Sequence, residues 1–287
     1  MNEDLICILG PTASGKTRYA VQMALYTGGE ILSADSRQVY RGMNIGTGKD
    51  LSEYEVNGAK VSYHLIDIAN PGSKYNIFQY QKDFHAAYSD VKSRGAQPIL
   101  CGGSGLYIES VTMGYNLAEV PPDLALRERL EKLSLEELTE MLKGYKKLHN
   151  KTDIDSKKRV IRALEIAIHD AQNPQQMSET VQIKTKFIGL DVSREERIKR
   201  IDRRLDERLE EGMVEEVKGL IESGINPDDL IYYGLEYKFV TLYILGRLTF
   251  DEMRNQLATA IHQFAKRQMT WFRGMERRGI EIEWIKI

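Results

Sequence analysis

Gly10-Pro11-Thr12-Ala13-Ser14-Gly15-Lys16-Thr17 sets two glycines, a lysine and a hydroxyl at the spacing G-x-x-x-x-G-K-[ST]. The glycines permit a tight turn whose backbone N–H groups point inward, and a helix starting at the lysine adds the positive end of its dipole. Such a loop takes a polyphosphate. Lys16 reaches the outer phosphates as a point charge, and the Thr17 hydroxyl is placed to ligate Mg²⁺. The motif fixes the ligand and leaves the reaction open, because ATPases, kinases and diphosphate-releasing transferases all share it.

Two further polar turns are candidates for the same site. Asp35-Ser36-Arg37-Gln38 closes a short apolar run. A carboxylate there can hold a metal through water or accept a proton from a substrate N–H or O–H; it can equally cap its own turn with Ser36. Arg37 and Gln38 carry forked donors suited to a base or phosphate edge. In Gly102-Gly103-Ser104-Gly105-Leu106-Tyr107 a helix opens, and the Ser104 hydroxyl is either its N-cap or a ligand contact.

Three turns can act together only if a scaffold delivers them to one edge. Leu5 to Leu9 is a short apolar run, and an amphipathic stretch from Lys16 to Leu25 follows the loop, which predicts strand, loop, helix. Glu30 to Ser33 and Pro98 to Cys101 read as further strands. Tyr80, Phe84, Ala87 and Val91 recur at helical spacing between them. This alternation predicts an α/β fold with a doubly wound, mostly parallel sheet flanked by helices, whose ligands sit at the carboxyl ends of the strands.

After Gly114 the pattern changes. Pro121-Pro122 punctuates the chain, a charged helical region is expected from Asp123 to Lys147, and Asn173-Pro174 marks the far side. Residues 115–180 are therefore read as a helical insertion, and 1–114 plus 181–287 as the core. In the second part of the core a strand at Phe187 to Leu190, long helices over Arg194–Ser223 and Thr249–Arg278, and a terminal edge strand at Ile282–Ile287 are expected.

Composition excludes several classes. With a formal charge of −2 over 287 residues, any nucleic-acid-binding surface must be local. From Arg254 to Arg278 the bases Arg254, Lys266, Arg267, Arg273, Arg277 and Arg278 face a single acid, Glu276, a stripe fit either for RNA backbone or for plain solvation. Trp271 and Phe272 are assigned to the core. Cys7 and Cys101 lie in apolar runs and predict no disulfide. The five histidines lack metal-ligand spacing. No basic-then-apolar leader and no apolar run of membrane-spanning length occur, so the expected setting is the cytoplasm, away from membranes.

Taken in order along the chain, GPTASGKT from Gly10, DSRQVYRGMNIGT from Asp35, GGSGLY from Gly102, KKRVIRALE ending at Glu165, RIDRRLDERLEEGMVEEV from Arg200 and FAKRQMTWFR from Phe264 resemble the bacterial-type tRNA dimethylallyltransferases, also called tRNA isopentenyltransferases. The resemblance implies a P-loop NTPase-like core and transfer of a dimethylallyl group from dimethylallyl diphosphate to N6 of the adenosine 3′ to the anticodon, with Mg²⁺. It implies Asp35 as general base, the loop from Gly10 to Thr17 as diphosphate cradle, and Lys16, Thr17 and Arg204 as catalytic partners, with adjacent Arg203 close in register. It also implies tRNA contacts from Asp35, Ser36, Arg37, Gln38, Ser104, Arg127, Lys158, Arg159, Val160, Ile161 and Arg162, with the insertion clasping the anticodon stem-loop of a tRNA bound by a monomer. Ser104 stands where the family usually has threonine, and Tyr232 to Tyr237 follow the family's pattern only loosely.

Two other activities compete with this reading. An adenylate prenyltransferase would use the same donor on a free nucleotide, although it would have no need of an insertion that clasps RNA. A P-loop small-molecule kinase would use the loop for ATP. A non-catalytic RNA-binding module leaves the complete loop and Asp35 without employment.

Overall fold

Five consecutive apolar residues, Leu5–Leu9 (β1), are all buried, as a strand covered on both faces must be. The computed structural model describes residues 3–115, 117, 119–145, 154–173 and 182–287. After β1 come α1 (Lys16–Thr27), β2 (Gly29–Ala34), a 3₁₀ turn at Leu51–Tyr54, a hairpin of β3 (Glu55–Val56) and β4 (Ala59–Lys60), β5 (Tyr63–His64), α2 (Ile77–Ser93), β6 (Gln97–Gly102) and α3 (Gly105–Thr112). The helices α4 (Leu124–Leu130), α5 (Leu135–Tyr145) and α6 (Lys157–Gln172) follow. The chain then runs through β7 (Thr185–Asp191), α7 (Arg194–Glu210), α8 (Met213–Glu222), α9 (Pro227–Tyr233), α10 (Leu235–Ile244), α11 (Phe250–Arg277) and β8 (Ile282–Lys286).

The main sheet has the order β5-β2-β6-β1-β7-β8, with every pairing parallel. Alternate residues of β1 point to opposite faces. Leu5, Cys7 and Leu9 join one apolar cluster with Tyr80, Phe84, Ile108 and Phe272; Ile6 and Ile8 join another with Ala20, Val21 and Ile99. Burying each such side chain contributes about 1.5–3 kcal/mol. A third cluster draws Val39, Tyr40 and Met43 against Leu205, Val217, Tyr237 and Leu257.

Register is the feature that makes the site. Leu9 pairs with Gly102, and Gly102 pairs with Ala34, so Gly10, Asp35 and Gly103 leave the sheet side by side. A side chain at Gly102 would lie 2.2 Å from the Ala34 carbonyl oxygen, so only glycine lets the strands close there.

The expected α/β fold with its parallel sheet is the one observed, and the structure refines several elements. The helix expected over Arg194–Ser223 breaks at Gly212, whose φ of 100° no ordinary helical residue adopts. Helices α9 and α10 lay unread; Asn226 caps the first, with Pro227 in its opening turn. The hairpin turn at Asn57-Gly58 has positive φ at both residues, a signal present in the sequence. The charged region from Asp123 is two helices, the second opened by a reciprocal capping box between Ser134 and Glu137; Lys147 and Pro174 lie outside the described residues.

By contacts the chain forms two compact units, Met1–Gly114 with Gln182–Ile287, and Tyr115–Val181. The second packs Leu126, Leu130, Leu138, Leu142, Val160, Ile161 and Leu164 into its own core. Its polar centre is Glu165, 2% exposed, which accepts bonds from Arg127 at 2.7 and 3.0 Å, from Asp123 N at 2.6 Å and from Arg162. Among the described residues no helix is long and apolar enough to cross a membrane.

Candidate active site

The phosphate loop joins β1 to α1 through two left-handed residues, Ala13 (φ 60°) and Gly15 (φ 79°). A side chain at Gly10 would stand 2.7 Å from the Ser14 hydroxyl, so glycine is what lets the loop fold back. The Ser14 hydroxyl is buried without a hydrogen-bond partner among the described residues. Lys16 Nζ donates to the Pro11 carbonyl at 3.2 Å, and burial lowers its pKa. A half-buried ammonium lying on its own loop, in a turn that also carries an unsatisfied hydroxyl, suits an anion. From α11, Gln268 Oε1 accepts from Thr12 N at 2.8 Å, and its Nε2 donates to Gly103 O at 2.9 Å.

At the second turn, Asp35 Oδ1 accepts from Arg37 N at 2.8 Å. The turn-capping role and the cavity position therefore coexist: Asp35 also lines the cavity, and its carboxylate is held by one backbone bond. Ser36 N donates to Ser104 Oγ at 3.2 Å. Ser104 stands at the N-cap position of α3 but makes no capping bond, so its hydroxyl ties the second turn to the third. Gln38 is committed internally, donating to Gly48 O at 3.1 Å and accepting from Ser33 Oγ at 3.4 Å. The Arg37 guanidinium lies 5.9 Å from the Tyr232 ring centre, within cation–π reach.

A loop from Met43 to Lys49 closes one side. Glu216 on α8 accepts from Asn44 N, Ile45 N and Gly46 N at 2.8, 2.8 and 3.1 Å, and from Tyr237 Oη at 2.7 Å. Lys49, its side chain wholly buried, donates to Tyr40 O at 2.7 Å and pairs with Asp67 at 2.5 Å. Arg204 faces this loop, lines the cavity and binds Asp50 Oδ2 at 3.1 Å, while Arg203 points to solvent and pairs with Glu207.

One cavity of about 660 Å³ collects Thr12, Lys16, Thr17, Asp35, Arg204 and Arg208 together with the apolar Leu106, Tyr107, Phe264 and Trp271. A cationic end and an aromatic wall within one chamber fit a ligand with an anionic head and an apolar tail. Burial raises the Glu53 and Glu236 carboxyls beside it.

Sequence reading missed Arg208, Glu236, Gln268 and Glu216. Arg208 carried a signal, since it follows Arg204 by one helical turn and so shares its face. Gln268 carried none that spacing could expose.

The remaining expected residues lie elsewhere. Lys158 is exposed, as is Arg159, which pairs with Asp155, whereas Val160 and Ile161 are 0% and 4% exposed in the core of their unit. Their side chains pack inward, because a helix turns successive residues to different faces. Arg127 and Arg162 are engaged by Glu165. On α11 Arg254 forks onto Asp206, and Arg278 just past its end binds Glu109, leaving Lys266, Arg267, Arg273 and Arg277 exposed. Phe272 is core, as expected, but Trp271 covers Gly105 and lines the cavity.

Comparisons with known proteins place the chain in a family. The family model for IPP transferase matches residues 38–275. A tRNA dimethylallyltransferase 2 of Bacteroides fragilis is 60% identical over 98% of this chain and 92% of its own. A tRNA dimethylallyltransferase 1 of Porphyromonas gingivalis is 60% identical over 98% and 93%. Among solved structures, the full-length tRNA isopentenylpyrophosphate transferase of Bacillus halodurans aligns with a TM-score of 0.72 at 32% identity, over 99% of this chain and 90% of that one. A eukaryotic dimethylallyltransferase acting on tRNA shares the fold, with a TM-score of 0.78 at 22% identity over 98% and 73%. A phosphate loop, an aspartate and a facing arginine on one sheet edge, in a chain this similar from end to end, mean that it belongs to the IPP transferase family, the bacterial-type tRNA dimethylallyltransferases.

Proposed function

We propose that this chain transfers the dimethylallyl group of dimethylallyl diphosphate to N6 of the adenosine immediately 3′ of the anticodon in tRNA, releasing diphosphate. The adenosine N6 attacks C1 of the donor, the C1–O bond breaks with its electron pair leaving on diphosphate, and the N6 proton passes to Asp35. The observation that carries this reading is the strand register that brings the phosphate loop after β1 and Asp35 after β2 out at one sheet edge, a strand apart, with Lys16, Asp35 and Arg204 lining one cavity.

An allyl diphosphate ionises readily once its leaving group is neutralised. Lys16 exchanges the Pro11 carbonyl for phosphate oxygen, the loop amides and the Ser14 hydroxyl donate to the same group, and Arg204 meets it from α7. The residues fit a hard divalent cation: the Thr17 hydroxyl, in the first turn of α1, and the Asp35 carboxylate line one cavity, and the neighbouring loop carries the unpartnered Ser14 hydroxyl. Mg²⁺ bound through Thr17 would supply further neutralisation of the departing charge. Asp35, already fixed by the Arg37 amide, contributes about 10²–10⁴ in rate as base to a weakly nucleophilic amine.

A base stacked in an anticodon loop cannot reach a phosphate loop on a sheet edge, so the adenosine is extruded into the cavity. Its walls for that base are Tyr107, Tyr232 and Trp271, with Ser36, Arg37, Gln38 and Ser104 at the turn beside Asp35. Lys158, Arg159 and the Tyr115–Val181 unit clasp the anticodon stem, with Arg127 and Arg162 trading part of their hold on Glu165 for phosphate. The reaction belongs to the bacterial cytoplasm, where tRNA is found.

The test incubates the protein and Mg²⁺ with radiolabelled dimethylallyl diphosphate and either unmodified tRNA or AMP. Label entering tRNA alone supports the reading. Label entering AMP alone, or ATP consumption without prenyl transfer, overturns it.

A further inference from the structure

Arg208 is a charged group in the cavity that the reaction as written leaves idle. It is 9% exposed, and its Nη2 has no hydrogen-bond partner among the described residues. The carboxylate paired with it, Asp50 Oδ2, stands 3.7 Å away, beyond hydrogen-bond length, and lies nearer to Arg204 Nη2, at 3.1 Å. One half-exposed carboxylate thus faces two guanidiniums.

The two arginines converge. A side chain added at Gly48 would fall 2.1 Å from Arg208 Nη2 and 2.5 Å from Arg204 Nη2, so both guanidiniums close on the space that glycine leaves open. Arg208 also lines a narrow crevice shared with Thr12 and Ala13 of the phosphate loop, Arg204 and Glu236. Burial, then the neighbouring Arg204 charge, pushes the Arg208 pKa down to about 10. Two like charges held together, one buried with an unsatisfied Nη2 and the other a third exposed, describe a receptor for a multiply charged anion rather than a structural ion pair.

We infer that Arg208 is a second guanidinium for the departing diphosphate, acting beside Arg204 at the phosphate-loop end of the cavity. This rests on the reading of the reaction given above and adds to it a specific donor. In the unliganded chain Asp50 holds Arg204 and faces Arg208; when the diphosphate enters, its oxygens take the place of that carboxylate, and the planar fork of each arginine can bind two of them. The alternative role for Arg208 is purely structural, as counter-charge to Glu236 across the crevice.

The experiment titrates inorganic diphosphate with Mg²⁺ calorimetrically into the wild type, Arg208→Met, Arg208→Gln, Glu236→Gln and the Arg208→Met/Glu236→Gln double variant, and measures steady-state kinetics on each. Arg208→Met is expected to weaken diphosphate at least about 10-fold and to raise KM for dimethylallyl diphosphate in step, with KM for tRNA unchanged. Should the methionine variant fail to fold, the glutamine variant carries the same expectation. Diphosphate affinity within twofold of wild type in the folded variant overturns the inference. Full recovery in the double variant also overturns it, assigning Arg208 to Glu236 instead. A wild type that binds diphosphate but delivers no label to tRNA would sink the reaction and leave the Arg208 assignment standing.

Discussion

The amide of Thr12, at the start of the phosphate loop, donates at 2.8 Å to the side chain of Gln268 on the last long helix. Since the same side chain donates to Gly103 O, one residue fixes two of the three turns that form the site. Replacing Gln268 with Leu orphans a buried amide and a buried carbonyl, at about 1–3 kcal/mol. Urea denaturation should report that loss, and KM for dimethylallyl diphosphate should rise. Gln268→Glu keeps the acceptor for Thr12 but faces Gly103 O with a second oxygen, so it should be no better than Leu; wild-type stability in either variant would refute the tie.

Asp35 has two duties that substitutions can separate. Asn at this position still accepts from Arg37 N but cannot take a proton, whereas Ala loses both functions. We expect Asp35→Asn to fold like the wild type, to bind tRNA with unchanged affinity, and to lose about 10²–10⁴ in kcat. A variant that instead loses tRNA affinity in parallel with kcat would assign Asp35 to recognition.

Lys16 should cost the empty protein stability. An amine whose pKa is lower folded than unfolded is penalised while charged, and the penalty is relieved as pH rises from the folded value toward the ordinary 10.5. Lys16→Met is therefore expected to raise the Tm of the unliganded protein at pH 7 while reducing turnover more than about 10²-fold, as loss of a strong electrostatic contact does. A lowered Tm would mean that the bond to Pro11 outweighs the burial.

Glu165 sets the acid limit of the helical unit. Burial pushes its carboxyl up, but the bonds from Arg127, Arg162 and Asp123 N outweigh that and hold it below the ordinary 4.5. A carboxyl with a depressed folded pKa stabilises above 4.5 and loses that contribution as pH falls through its folded value. Hydrogen exchange read by mass spectrometry should show α4 and α6 opening on acidification below that point. Glu165→Gln should open them already at pH 7, by about 1.5–3 kcal/mol.

The sequence made the sheet and the phosphate loop readable because their signals are local. Leu5–Leu9, Pro98–Cys101 and the G-x-x-x-x-G-K-T spacing each declare themselves within ten residues. The segment from Val39 to Asn76 did not, because its form comes from distant side chains: Glu216 holds three of its amides, and Tyr233 Oη binds Gly72 N and Ser73 O. Family resemblance located Arg204, and helical spacing would have added Arg208. The inward turn of Val160 and Ile161 is not legible in the run Lys158 to Arg162 itself, since helix packing decides which face is buried.

The contact between Thr12 and Gln268 spans 256 positions in the chain. During synthesis the phosphate loop leaves the ribosome 256 positions ahead of its anchoring partner. Domains assemble as their chain emerges, so a nascent chain can carry β1 and α1 for most of its elongation without a fixed cradle between them. Catalytic competence in this molecule is consequently a late event of biosynthesis, and a ribosome stalled before α11 should display a chain whose phosphate loop is written but not yet set.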